Sequence, residues 1–156
     1  MDGNRRQALK RAGASGALAA ACVAGLLRPE DLLAAGWNKD AFGSKSAADA
    51  LKGLGASNPT ESKEIVIDAP EIAENGAVVP IEIASNLPNT KSIAVLIEKN
   101  PFPLAAKFDF LDGSVPFVKV NVKMGESSNV RVVAEAGGKH YTATKEVKVT
   151  IGGCGG

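Results

Sequence analysis

One side chain in this sequence combines a reactive group with an unusual setting. Cys154 stands at the centre of Gly152-Gly153-Cys154-Gly155-Gly156. A thiolate is a soft nucleophile that forms and exchanges S–S bonds. Four glycines around it give the backbone its widest choice of dihedral angles. They also carry no side chains that would block entry into a narrow channel. From Ile151, three extended residues carry the Cys about 10 Å outward. These properties suit a thiol that travels on an arm between the catalytic pockets of other proteins. An unperturbed thiol, with a pKa of about 8.5, is only slightly ionised at neutral pH. No Lys, Arg or His lies within the arm to favour the anion. Activation is therefore expected from a partner's active site, and the chain is expected to be a carrier, not an enzyme.

The other cysteine, Cys22, falls in a segment that reads as a targeting signal. Residues 1–36 hold five basic and three acidic side chains, leaving 13 basic against 14 acidic in the remainder. Arg5-Arg6 precedes an uncharged, mildly apolar run over 12–27. That run is shorter than the roughly 20 residues a membrane span needs. The pattern resembles the twin-arginine export signal of bacteria, with Asn4 and Ala8 departing from its preferred residues. Ala34-Ala35-Gly36 supplies the small residues that cleavage requires, placing the mature start near Trp37. The competing reading is an amphipathic helix that stays attached, but the run has no polar face to solvate. Cleavage leaves Cys154 as the lone cysteine of an exported protein. Such a residue serves an intermolecular bond or a free reactive thiol. An incidental cysteine in a glycine tail is the bland alternative, and its place at the centre of a symmetric run weighs against it.

The elements that must hold such an arm are β-strands. Residues 37–60 form a lead-in with a short helix over 46–52, which Ser46 can cap. Beyond Asn58-Pro59 the pattern predicts seven strands, over 64–68, 78–85, 92–99, 106–111, 117–124, 129–136 and 139–151. Turn signals separate them: Asn75-Gly76, Asp112-Gly113 and Gly137-Gly138. Ile93, Val95 and Ile97 share one face of the third strand. Val118, Val120, Val122 and Met124 share one face of the fifth. In the last strand, Tyr141, Ala143, Val147, Val149 and Ile151 share the core parity. His140, Thr142, Thr144, Glu146, Lys148 and Thr150 share the polar one, and Lys145 breaks the alternation. Ile151 is then the last anchored residue. The fold class is all-β, an antiparallel β-sandwich over 61–151 with the arm at 152–156. Pro80 inside the second strand should mark an edge or a bulge, because it cannot donate to a ladder.

Other chemistry is sparse. A net charge of +1 and 4% aromatic residues give no footprint for nucleic acid. His140 is the single histidine, and beside a hairpin turn it reads as a solvated surface residue. One His and one Cys do not make a zinc site, which takes three or four protein ligands. No cofactor or metal is expected. Asn100-Pro101-Phe102-Pro103 reads as a stiff loop closing one end of the sandwich, with bracing of a partner as the alternative.

The segment from Val147 to Gly156, with Ala69-Pro70-Glu71-Ile72-Ala73-Glu74-Asn75-Gly76-Ala77-Val78-Val79-Pro80 and Ile97-Glu98-Lys99-Asn100-Pro101-Phe102-Pro103, resembles the SoxY family. That family supplies the carrier subunit of the bacterial thiosulfate-oxidising system. The resemblance implies an immunoglobulin-like sandwich paired with a second sandwich subunit, SoxZ. It implies a periplasmic location and transient docking to three partners: a haem-bearing SoxAX, a SoxB hydrolase and, where present, a SoxCD sulfane dehydrogenase. Cys154 maps onto the carrier cysteine, and Gly152, Gly153, Gly155 and Gly156 onto its arm. Two readings compete with the carrier. One is an exported structural or chaperone-like sandwich dimerised through a Cys154 disulfide. The other is a thiol oxidoreductase, which the absence of a Cys-x-x-Cys pair or a nearby base disfavours.

Overall fold

A computed structural model describes residues 38–150. The expected export signal, Trp37, Ile151 and the arm at 152–156 lie outside the described residues. The rest is a sandwich of two sheets. The elements are α1 (Lys39–Gly43), α2 (Ala47–Gly53), β1 (Thr60–Glu61), β2 (Ile65–Asp68), β3 (Ile72–Ala73) and β4 (Val79–Ser85). They continue with β5 (Thr90–Ile97), β6 (Leu104–Asp109), β7 (Phe117–Val122), β8 (Ser128–Ala136) and β9 (Lys139–Val149). The larger sheet runs β1-β9-β8-β5-β6, with β3 also pairing to β9, and the smaller runs β2-β4-β7. The long strands pair antiparallel, and the expected immunoglobulin-like class holds.

The alternation read from the sequence places the main core between the sheets. Val79, Ile81 and Ile83 from β4 meet Ile93, Val95 and Ile97 from β5, and Val130, Val132 and Val147 close the layer. All nine are fully buried. Each such side chain contributes roughly 1.5–3 kcal/mol relative to exposure. Tyr141, Ala143 and Val149 pack partly buried against the same core, as their parity predicts.

β5 is buried on both faces. Ala94 and Leu96 point away from the main core into a second one, built with Ala41, Ala50, Leu51, Ala56, Leu104 and Val133. The helical lead-in covers this outer face. Ser46 caps α2 as expected: its hydroxyl accepts from the Asp49 amide at 3.1 Å and donates to the Asp49 carboxylate at 2.8 Å. That hydrogen bond, then the Lys52 charge, holds the Asp49 carboxyl below its ordinary pKa. Helix α1 was not expected. Asn38 caps it by accepting from Ala41, and its Nδ2 donates to the Gly53 carbonyl at 2.8 Å, tying α1 to the end of α2.

Several expectations need correction. Thr142, assigned to the solvated face of the last strand, is buried at 8% exposure. Its Oγ1 donates to the Val132 carbonyl at 2.9 Å, which satisfies the hydroxyl there. Lys145, which breaks the alternation, lies mid-strand. It falls where β9 has no second neighbour, between β1 at Tyr141 and Thr142 and β3 at Lys148 and Val149. Pro80 sits in the central strand of the smaller sheet. β2 pairs only with Glu82 to Ser85, so Pro80 still lies on a locally unpaired edge. The turn at Asn75-Gly76 is not a hairpin turn, because β3 joins β9 and not β4. Gly137 and Gly138 do form the tight turn expected of them, with φ of 55° and 75°.

Candidate functional site

The described chain ends where the arm begins, so the root of the arm is the part of the site with visible geometry. Strand β9 is the longest among the described residues, and its last residues are clasped from several directions. The Val149 amide donates to Ser127 Oγ at 2.9 Å. The Lys148 amide donates to the Glu71 carbonyl at 2.9 Å, and the Thr150 amide to the Ala73 carbonyl at 3.1 Å. The two-residue strand β3 thus holds the outer edge of β9 up to the last described residue. Anchorage reaches Thr150; the expected last anchor, Ile151, and the expected carrier residues Gly152, Gly153, Cys154, Gly155 and Gly156 are outside the described residues.

Behind this clasp lies a close approach that requires glycine. A Cβ on Gly76 would stand 2.4 Å from the Met124 carbonyl oxygen and 2.9 Å from Val149 Cγ1. Gly76 also accepts from the Met124 amide at 2.7 Å. Asn75 Oδ1 accepts from the Ala77 amide at 2.9 Å, fixing the bend. Gly76 therefore serves by having no side chain; its φ is not among the positive ones. Gly76→Ala should push the backbone of the 74–78 loop away from β9 and cost about 1–3 kcal/mol, the usual range for forcing atoms into a filled site. Chemical denaturation of the variant checks this.

Asn100 braces the neighbouring loop. Its Nδ2 donates to the Lys123 carbonyl at 2.7 Å, and its Oδ1 accepts from the Gly125 amide at 3.3 Å. The Lys99 amide donates to Ser128 Oγ at 3.0 Å. Glu98 accepts from Arg131 Nε at 2.7 Å and from Asn129 Nδ2 at 3.0 Å, tying the start of the 98–103 loop to β8. These bonds brace the loop at Asn100-Pro101-Phe102-Pro103 in addition to its prolines.

The described residues contain no rival centre of reactivity. Both cysteines lie outside them. His140 is half-buried opposite Glu135, beside the second core and at the other end of β9 from the root. No group of three or more metal-ligating side chains gathers among the described residues. Among them, no helix is long and apolar enough to cross a membrane. Sequence reasoning missed Gly76, Ser127 and the two-residue strand β3 as the devices that hold the arm's root. Only the Asn-Gly pair signals anything there, and what it predicts is a tight turn between two strands.

Comparison with known proteins bears on the family and the fold. The family model described as sulfur oxidation protein SoxY matches residues 51–154. The solved sulfur carrier protein SoxY from Chlorobium limicola f thiosulfatophilum superposes with a TM-score of 0.62 and 41% identity, covering 73% of this chain and 100% of that one. A variant of the superoxide reductase (neelaredoxin) from Ignicoccus hospitalis superposes with a TM-score of 0.50 at 20% identity. It covers 66% of this chain and 90% of its own, and at that identity shares the fold alone. No curated protein matches in sequence. With a family model spanning most of the chain and a solved SoxY covered end to end, this protein belongs to the SoxY family of sulfur oxidation proteins.

Proposed function

We propose that this protein carries sulfur intermediates of thiosulfate oxidation covalently on Cys154 and presents them to partner enzymes without catalysing their conversion. The observation that carries the proposal is the placement of the sole thiol outside the signal segment. It lies four residues beyond a firmly clasped strand end, within a glycine run. Loading couples the Cys154 thiol to the outer sulfur of thiosulfate. An S–S bond forms, the thiol proton leaves, and two electrons pass to a haem-bearing partner of the SoxAX kind. Hydrolysis by a SoxB-like enzyme then breaks the bond between the sulfane and sulfonate sulfurs. Sulfate leaves, and a persulfide remains on the carrier. A SoxCD-like dehydrogenase, where present, oxidises that sulfur.

The chain itself needs only to hold and deliver. Segment 1–36 exports it to the periplasm, and a SoxZ-like subunit pairs with the sandwich. Intact-mass analysis of the mature protein from thiosulfate-grown cells should show adducts of a thiosulfonate group and of sulfane sulfur, both removed by a reductant. A protein recovered only as free thiol or as a Cys154-linked disulfide dimer defeats the proposal and favours the structural reading.

A further inference from the structure

Among the described residues, three large apolar side chains left in water belong to the end of the sandwich that releases the arm. Ile72, Val78 and Phe102 are 58%, 55% and 54% exposed. Ile72 pairs with Lys148, two residues before the last described one. Val78 lies two residues from Gly76, which is in contact range of Val149. Phe102 lies two residues from Asn100, in the loop bonded to Lys123 and Gly125. Ser127, two residues further on, holds the Val149 amide. These links place all three apolar residues at the end of the sandwich from which the arm leaves, with Ile72 beside β9 and Phe102 in the β5–β6 loop. Isolated exposed apolar residues need no explanation, but grouped ones mark contact surfaces.

The length of the arm says what makes the contact. Cys154 lies four residues past Thr150, so its Cα reaches at most about 14 Å from that anchor. Any catalytic pocket that receives the thiol must bring its rim against this end of the sandwich. We propose that Ile72, Val78 and Phe102 form the surface on which the loading enzyme docks while Cys154 is in its pocket. The complementary rim on that enzyme is apolar. Charge supports an apolar mode. Lys99 and Glu126 neutralise one another at 3.6 Å. Lys123, Lys148, Glu71 and Glu74 intersperse both signs around the same end. Among the described residues of this end no single-sign field is present to steer a charged partner, and loading should depend only weakly on salt. The inference rests on the carrier reading of Cys154.

The test uses the mature chain with its partner subunit and three variants, Val78→Asp, Phe102→Asp and Leu111→Asp. Leu111 is 84% exposed and lies beyond the far end of β6, so it controls for an added carboxylate elsewhere. Each variant is first matched to the unmodified protein in melting temperature and in the rate at which a small alkylating reagent labels Cys154. Thiosulfate-dependent loading is then followed by mass in extract from cells lacking this chain. The carrier concentration giving half-maximal rate should rise about tenfold or more for Val78→Asp and Phe102→Asp, and stay unchanged for Leu111→Asp. Equal half-saturation for all three variants, or the same rise in Leu111→Asp, overturns the docking surface alone. If the unmodified protein acquires no adduct, the carrier reading itself fails, and the docking surface fails with it.

Discussion

Cys154→Ser abolishes thiosulfate oxidation by cells that depend on this chain, to the level of a strain lacking it, and leaves the melting temperature of the protein unchanged. The two halves of this expectation have different physical grounds. Both cores are built from residues between Ala41 and Val147, so the sandwich is complete without the cysteine. Serine is close to cysteine in size, but its hydroxyl does not exchange with S–S bonds, and no sulfur can be held on it. Because the sequence has no other thiol outside the signal segment, nothing can substitute. Oxygen uptake on thiosulfate, measured beside a thermal melt of the purified variant, decides the matter. Uptake retained by a well-folded Cys154→Ser protein is incompatible with covalent carriage. The disulfide-dimer reading predicts a different pattern, a loss of dimer mass together with a fall in stability.

The reading of Cys154 rests on residue type, spacing and the SoxY resemblance, none of which shows how its strand is held. Alternation in 117–124 and 139–151 identified β7 and β9, observed over Phe117–Val122 and Lys139–Val149, and the faces they bury. Gly137-Gly138 announced its own turn. The third strand was legible over 92–99 with Ile93, Val95 and Ile97 on one face, but the continuity of the apolar run through Ala94 and Leu96, which marks burial on both faces, went unused. What covers the second face was harder to read. Helix α1 has five residues, too few for a periodic pattern, and its cap Asn38 works partly by donating to Gly53, fifteen residues away. β1 and β3 have two residues each and exist because β9 offers them an edge. No local propensity encodes such strands. Thr142 was misplaced for a related reason: parity assigned it correctly to the face away from the main core, but its burial there, with the hydroxyl bonded to the Val132 carbonyl, is a tertiary feature. Gly76 shows the same limit. A turn glycine and a glycine that makes room for a neighbouring strand look alike until the neighbour is known.

The separation of scaffold from chemistry is tested most strongly by damaging the scaffold. Ile81 is fully buried in β4, the central strand of the smaller sheet, where it pairs with Val120 and faces the core shared with β5 and β8. Ile81→Ala removes three carbon atoms from a filled site and should cost about 3–5 kcal/mol through lost burial and the cavity left behind. That is a large part of the roughly 5–15 kcal/mol that stabilises a domain. For a sandwich of this size the melting temperature should fall by about 10–20 °C, read by circular dichroism. A fall of less than about 4 °C would mean that the two sheets are not held together by this core. Below the variant's own transition, however, loading of Cys154 should proceed as in the unmodified protein. The sandwich supplies an anchor at Val149 and Thr150 and a surface beside it, and the activation of the thiol belongs to the partner. Loss of loading from a variant that is still folded would show that the interior of the sandwich acts on the arm directly, and the division between rigid support and travelling thiol would have to be abandoned.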